Sequence, residues 1–147
     1  MLAERAHTWV LRYTSVMQGL HLVADLSACH AAPAYLLDEQ VLLQACLQAV
    51  QRSGLQAVGQ LAVRFPAAQG HASGGVTATV LLAESHLCVH TWPENNAVTL
   101  DVYVCNRSAD HSAKAQHLMA AMVALFAPAH VQQQSWQRGE GATQAQV

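Results

Sequence analysis

Between residues 76 and 105 the chain passes through three runs, VTATVLLAE, HLCVHTW and AVTLDVYVC, that alternate in polarity. Successive side chains of a strand point to opposite faces, so a period of two divides each run into two sides. Val76, Ala78 and Val80, then Leu87 and Val89, then Val98, Leu100, Val102 and Val104 share an apolar side. Thr77 and Thr79, then His86, Cys88 and His90, then Thr99, Asp101, Tyr103 and Cys105 share the other. A solvated strand face is normally filled with Lys, Glu, Arg and Gln, and these runs hold no Lys or Arg. The pattern predicts neighbouring strands with helices against one face and a covered, chemically loaded second face. PENN, 93–96, is a turn that joins the last two runs as a hairpin.

The remaining segments fit around these strands. GLHLVADLSAC, 19–29, reads as a strand, with Pro33 as a break after it. YLLDEQVLLQACLQAVQRSG, 35–54, repeats Leu36, Leu37, Val41, Leu43, Leu47 and Val50 at helical spacing, and Gly54 is a natural stop. LQAVGQLAVRF, 55–65, is a strand, and PAAQGHASGG, 66–75, a small, polar loop. SADHSAKAQHLMAAMVALFA, 108–127, predicts a second helix, with Ser108 as its N-cap and Pro128 as its stop. HVQQQSWQ, 130–137, is an edge strand. Residues 1–18 form an extension with a short strand at TWVLRY, and 138–147 a loose tail. One domain over residues 1–147 follows. Its class is α+β: a two-layer sandwich of a mostly antiparallel sheet with two main helices on one face.

Composition narrows the function. Of 147 residues, 52% are hydrophobic and 11% charged, which is globular. The net charge is −2 without a basic stripe, which argues against a nucleic-acid partner. The longest apolar stretch, LMAAMVALFAPA, holds Pro128 and falls short of the roughly 18 residues that span a bilayer, so no membrane partner is expected. Cys29, Cys46, Cys88 and Cys105 lack CxxC spacing and predict free thiols in the cytoplasm. Cys46 falls among helix apolar residues, as a core thiol does, and His21 suits a structural hydrogen bond.

Three chemistries compete for the loaded face. His86, Cys88 and His90, with Cys105 nearby, are a conceivable zinc set, but HxCxH on a strand is a weak signal. The expectation is no metal. Ser85 lacks the GxSxG elbow of a hydrolase nucleophile. The third option makes Ser85 a precursor. Ser85 and His90 are five apart, so a regular strand sends them to opposite faces, and Ser85 must sit at a turn or an irregular start.

AESHLCVHTWPE, 83–94, followed by Asp101 and Cys105, resembles the signature of the small prokaryotic S-adenosylmethionine decarboxylases, which are pyruvoyl enzymes. GLHLVAD is similar to their N-terminal strand, and the resemblance runs from about residue 19 to about residue 127. It implies that the chain cuts itself between Glu84 and Ser85. The Ser85 hydroxyl exchanges the peptide bond for an ester, elimination releases the upstream chain, and Ser85 becomes a covalent pyruvoyl cofactor. His90 matches the histidine assigned to this processing, Thr77 a hydroxyl that assists it, and Cys105 the acid that protonates the product carbon.

The chemistry is coherent by itself. Decarboxylation of an amino acid leaves a carbanion that needs an electron sink, and a ketone made from the chain can supply one. A pyridoxal Schiff base would have to use Lys114, the chain's one lysine, in the second predicted helix. A thiol suits proton delivery because its pKa can be tuned toward neutrality.

The resemblance implies S-adenosylmethionine as substrate and the aminopropyl donor for spermidine synthesis as product. Phe65, Trp92, Glu94 and Asp101 are the candidate substrate-binding residues. Glu94 and Asp101 suit ribose hydroxyls, but equally the basic end of ornithine or arginine, so a pyruvoyl decarboxylase of those amino acids is the alternative. An unprocessed, non-catalytic partner homologue is a second alternative. Thr77 and Ala78 replace the family's usual Ser and Gly, Leu20 stands where Arg is common, and the 66–74 loop is longer. A small domain with one loaded face predicts a homodimer of cleaved protomers that cover that face for each other.

Overall fold

The computed structural model describes residues 18–139. The short strand expected at residues 8–13 and most of the expected tail lie outside them. Strands β1 (Gly19–Cys29), β2 (Ala57–Arg64), β3 (Val76–Leu82), β4 (Ser85–Trp92), β5 (Ala97–Cys105) and β6 (Pro128–Arg138) form one antiparallel sheet. Their order is β2-β3-β4-β5-β1-β6. Helices α1 (Ala34–Leu37) and α2 (Glu39–Arg52) join β1 to β2, and α3 (Ser112–Phe126) joins β5 to β6. This is the expected α+β sandwich.

The apolar parity becomes the core. Leu20, Leu22, Ala24 and Leu26 of β1, Val76, Ala78 and Val80 of β3, Leu87 and Val89 of β4, and Val98, Leu100, Val102 and Val104 of β5 are all buried. Helix α2 packs on β2 and β3, and α3 on β1 and β5. Leu42, Cys46 and Val50 come from α2, and Leu118, Met119, Met122 and Phe126 from α3. Each such side chain removed from water contributes about 1.5–3 kcal/mol.

Two helix boundaries differ from expectation. The first predicted helix is broken at Asp38, whose backbone is extended while its carboxylate accepts from Gln40 N and Val41 N at 2.9 and 3.0 Å. Asp38 thus caps α2, a short-range gain that outweighs a continuous helix. The second helix begins at Ser112 rather than after Ser108: the Ser108 hydroxyl faces His111 Nε2 at 3.4 Å, and the His111 N–H it would have capped donates to Asn106 Oδ1 at 2.9 Å. Its C-cap, Ala127, is left-handed and Pro128 opens β6, so the expected stop holds. The edge strand is longer than expected, taking in Pro128 through Arg138.

Thr91 ties the layers together. Buried on the helix side, its hydroxyl donates to the Leu36 carbonyl at 2.7 Å and accepts from Val76 N at 2.8 Å. Gly75, just before β3, passes so close to the Thr91 carbonyl that a Cβ would overlap it.

Candidate functional site

The turn between β3 and β4 has only two residues, Ala83 and Glu84, because Leu82 pairs with Ser85. Ser85 has φ +128°. Among the described residues, the other non-glycine positions with positive φ, Ala28, Asn96 and Ala127, lie between 44° and 50°, near the left-handed basin at about +57°. Ser85 lies far from it, and such a conformation costs about 1–3 kcal/mol. The irregular start expected from the Ser85–His90 spacing is therefore a strained residue at the predicted cleavage bond.

The Glu84 carbonyl accepts from the N–H of Cys105 at 3.0 Å. That is the carbonyl a Ser85 hydroxyl must attack, and a fixed donor there stabilises the negative charge that attack would place on its oxygen. Cys105 itself is half-buried at the end of β5. No disulfide links the four cysteines. Burial pushes the Cys46 thiol up to about 12 and raises that of Cys29, which disqualifies both as proton donors near neutrality.

The Glu84 carboxylate is gripped too. It accepts from Arg107 N at 3.1 Å and Ser108 N at 3.2 Å, and lies 3.4 Å from His111 Nε2. The Ser108 side chain first, then the backbone donors and His111, hold this carboxyl below the usual range.

Beside Ser85, an aromatic and charged cluster fills the open face of the sheet. Asp101 is the diagonal cross-strand neighbour of both His21 and His86, and its carboxylate lies 3.0 Å from Nε2 of each. Arg138 donates to His21 Nδ1 at 3.2 Å and sits over the Tyr103 ring at 5.1 Å. Trp136 flanks His21, with ring centroids 6.0 Å apart. The His21, His86 and Asp101 ligand atoms lie within 4.8 Å of one another, close enough to ask whether they hold a metal. The arginine answers it. A guanidinium only donates, so His21 Nδ1 accepts and the proton of the neutral ring sits on Nε2, where a metal would need a lone pair.

The opposite end of β4 carries a second group. Thr77 and His90 are a cross-strand pair, with Oγ1 2.8 Å from Nδ1. Phe65, Trp92 and Glu94 are exposed at this end. Between the two groups, the Thr79 hydroxyl donates to the Cys88 sulfur at 3.5 Å. His86, Cys88 and His90, weighed as a zinc set, thus each take a different partner.

The structure therefore brings Ser85, Glu84 and Cys105 together and, separately, Thr77 and His90. Five residues of strand, about 16 Å, keep the two groups apart. Asp101, expected to bind substrate, is occupied by two imidazoles. Trp136, Arg138 and His111 carried no expectation. The alternation of Trp136 and Arg138 along β6 is the signal that places those two on this face, and His111 had none.

The open face is also apolar at one side. By register Leu61 and Val63 share it with Thr79 and Thr77, and Leu61 is 66% exposed. With Leu81, Phe65 and Trp92, also exposed, this is more apolar surface than a solvated sheet face needs.

Comparison with known proteins gives a consistent answer. The family described as S-adenosylmethionine decarboxylase matches residues 20–139. Proteins named S-adenosylmethionine decarboxylase proenzyme are similar in sequence. That of Aquifex aeolicus is 34% identical over 122 residues, 82% of this chain and 81% of the relative. That of Hydrogenobaculum sp. is 31% identical over 121 residues, with the same coverage. The crystal structure of the adenosylmethionine decarboxylase from Aquifex aeolicus superposes with a TM-score of 0.71 at 29% identity, covering 89% of this chain and 98% of that one.

Proposed function

The chain belongs to the S-adenosylmethionine decarboxylase family of carboxy-lyases, and from that premise we propose a self-processing enzyme whose catalytic carbonyl is made from Ser85. One observation carries the reading. Ser85 is strained at φ +128° while the carbonyl before it is held by the Cys105 amide. Relatives named as proenzymes support it.

Self-cleavage uses this chain's own groups. The Ser85 hydroxyl adds to the Glu84 carbonyl carbon, and the oxygen that gains negative charge faces the Cys105 N–H. The carbon–nitrogen bond breaks, leaving an ester and a free Ser85 amine. Loss of the Ser85 α-proton then expels Glu84 as a carboxylate. Hydrolysis of the resulting enamine releases ammonia and leaves a pyruvoyl group on His86 N. That position suits the group: His86 is anchored by Asp101, and Cys105 ends the adjacent strand. A pyruvoyl group supplies an electron sink for the carbanion left when CO₂ departs. Cys105 then delivers a proton to the substrate carbon.

The substrate we assign is S-adenosylmethionine, and the product the aminopropyl donor for spermidine synthesis. The family match and the relatives named S-adenosylmethionine decarboxylase proenzyme favour this reading over ornithine or arginine, since Asp101, bound to two imidazoles, does not separate the two. The place of work is the cytoplasm, in keeping with thiols that form no disulfide; no helix among the described residues is long and apolar enough to cross a membrane.

His90 and Thr77 cannot reach Ser85 along their own strand. A second copy can bring them there. An isologous pair of sheets, packed open face to open face at about 10 Å, can set the His90 end of one copy over the Ser85 end of the other. It would also cover Leu61, Leu81, Phe65 and Trp92. The functional unit is then a homodimer whose sites draw on both chains.

Co-expression of two damaged chains tests this. Ser85→Ala keeps His90 but has no nucleophile, and His90→Ala keeps Ser85 but has no base. Each alone stays whole. Together, the His90→Ala chain should be cut by its partner's histidine, as read by intact mass. No cleavage in the mixed dimer would refute action between chains.

A further inference from the structure

Cleavage between Glu84 and Ser85 formally needs only the backbone of Glu84, yet its side chain is held as firmly as its carbonyl. The carboxylate is about four-fifths buried and bound to Arg107 N, Ser108 N and His111. The loop that supplies these donors is itself braced. Asn106 donates from Nδ2 to Asp110 at 3.2 Å and to the Ser112 hydroxyl at 3.0 Å, and its Oδ1 accepts from His111 N at 2.9 Å. The Asn106 N–H donates to the Gln18 carbonyl at 2.8 Å, tying the loop to the start of β1. Cys105, which holds the Glu84 carbonyl, directly precedes this loop. One segment, 105–111, thus grips residue 84 at both its carbonyl and its side chain. Ser85 is the next residue, and rotation about residue 84 is the nearest way for it to relax.

We propose that the Glu84 side chain is a positioning residue for self-cleavage. Its grip by the 105–111 segment fixes the scissile carbonyl on the Cys105 amide and holds Ser85 in the strained conformation from which its hydroxyl attacks. This deepens the reading above and rests on it. The affected step is the first one: the serine oxygen bonds to the Glu84 carbon, its proton passes to the base, and the departing nitrogen is protonated. The same grip acts after the cut. Residue 84 then ends its chain with two carboxylates, and the side-chain carboxylate keeps that new terminus docked beside the site.

The test is the rate of cleavage of full-length wild-type, Glu84→Gln and Glu84→Ala chains, followed by intact-mass spectrometry. Glu84→Gln keeps the shape but loses the charge-assisted bonds, and should cleave about tenfold more slowly; Glu84→Ala should be slower by about a hundredfold. Hydroxylamine cuts an ester that has already formed. It should leave Glu84→Gln slow, because the ester itself forms slowly. Restoration of the wild-type rate by hydroxylamine would put the defect after the acyl shift and overturn the proposal. So would wild-type cleavage rates in both variants. A wild-type chain that never cleaves would instead overturn the pyruvoyl reading on which the proposal stands.

Discussion

The two faces of β4 differ in almost everything except their backbone. Leu87 and Val89 are wholly buried under the helices, and Thr91 beside them is 4% exposed. His86, Cys88 and His90, one residue out of step, lie on the uncovered face and bind Asp101, Thr79 and Thr77. One strand therefore carries stability on one side and chemistry on the other. Because the period is two, adjacent substitutions should separate the two properties cleanly.

The sharpest expected separation comes from Cys105→Ala on the open face. Cleavage needs the backbone N–H of residue 105, which alanine keeps, so two chains should still form. Decarboxylation would lose the proton donor proposed above and should fall about 100-fold or more in kcat. Thermal unfolding should change by less than about 1 kcal/mol. Full turnover by a cleaved Cys105→Ala enzyme would break the assignment of the acid. Leu87→Ala is the counterpart on the covered face. It should cost about 2–5 kcal/mol in chemical denaturation, while a chain that still folds keeps its cleavage site. A loss below about 1 kcal/mol would contradict the division of labour between the faces.

Much of this was legible from residue spacing. Alternation alone separated the core from the loaded face, since parity needs no knowledge of which strands are neighbours. The odd spacing of Ser85 and His90 required an irregular Ser85, and φ +128° is that irregularity. Asp38 shows where periodicity misleads. The apolar repeat runs straight through it, and only its side chain's competition for Gln40 N and Val41 N breaks the helix. Ser108 looked like a cap because a local reading has no way to know that its hydroxyl turns to Glu84, 24 residues earlier, and that the His111 N–H goes to Asn106 instead. The cluster of His21, Asp101, Trp136 and Arg138 was hidden for the same reason. It depends on β1 lying between β5 and β6, a pairing of chain segments up to 117 residues apart. The separation of His90 from Ser85 was visible in the spacing, and the homodimer proposed above rests on the exposed apolar face as well.

The central claim is that the chain cuts itself at the strained bond. Intact-mass spectrometry of the purified protein beside Ser85→Ala tests it directly. The account predicts two fragments from the wild type, 1–84 and 85–147, the second without a free amino terminus, and a single whole chain from Ser85→Ala. A wild-type protein that decarboxylates its substrate while remaining one full-length chain would contradict it.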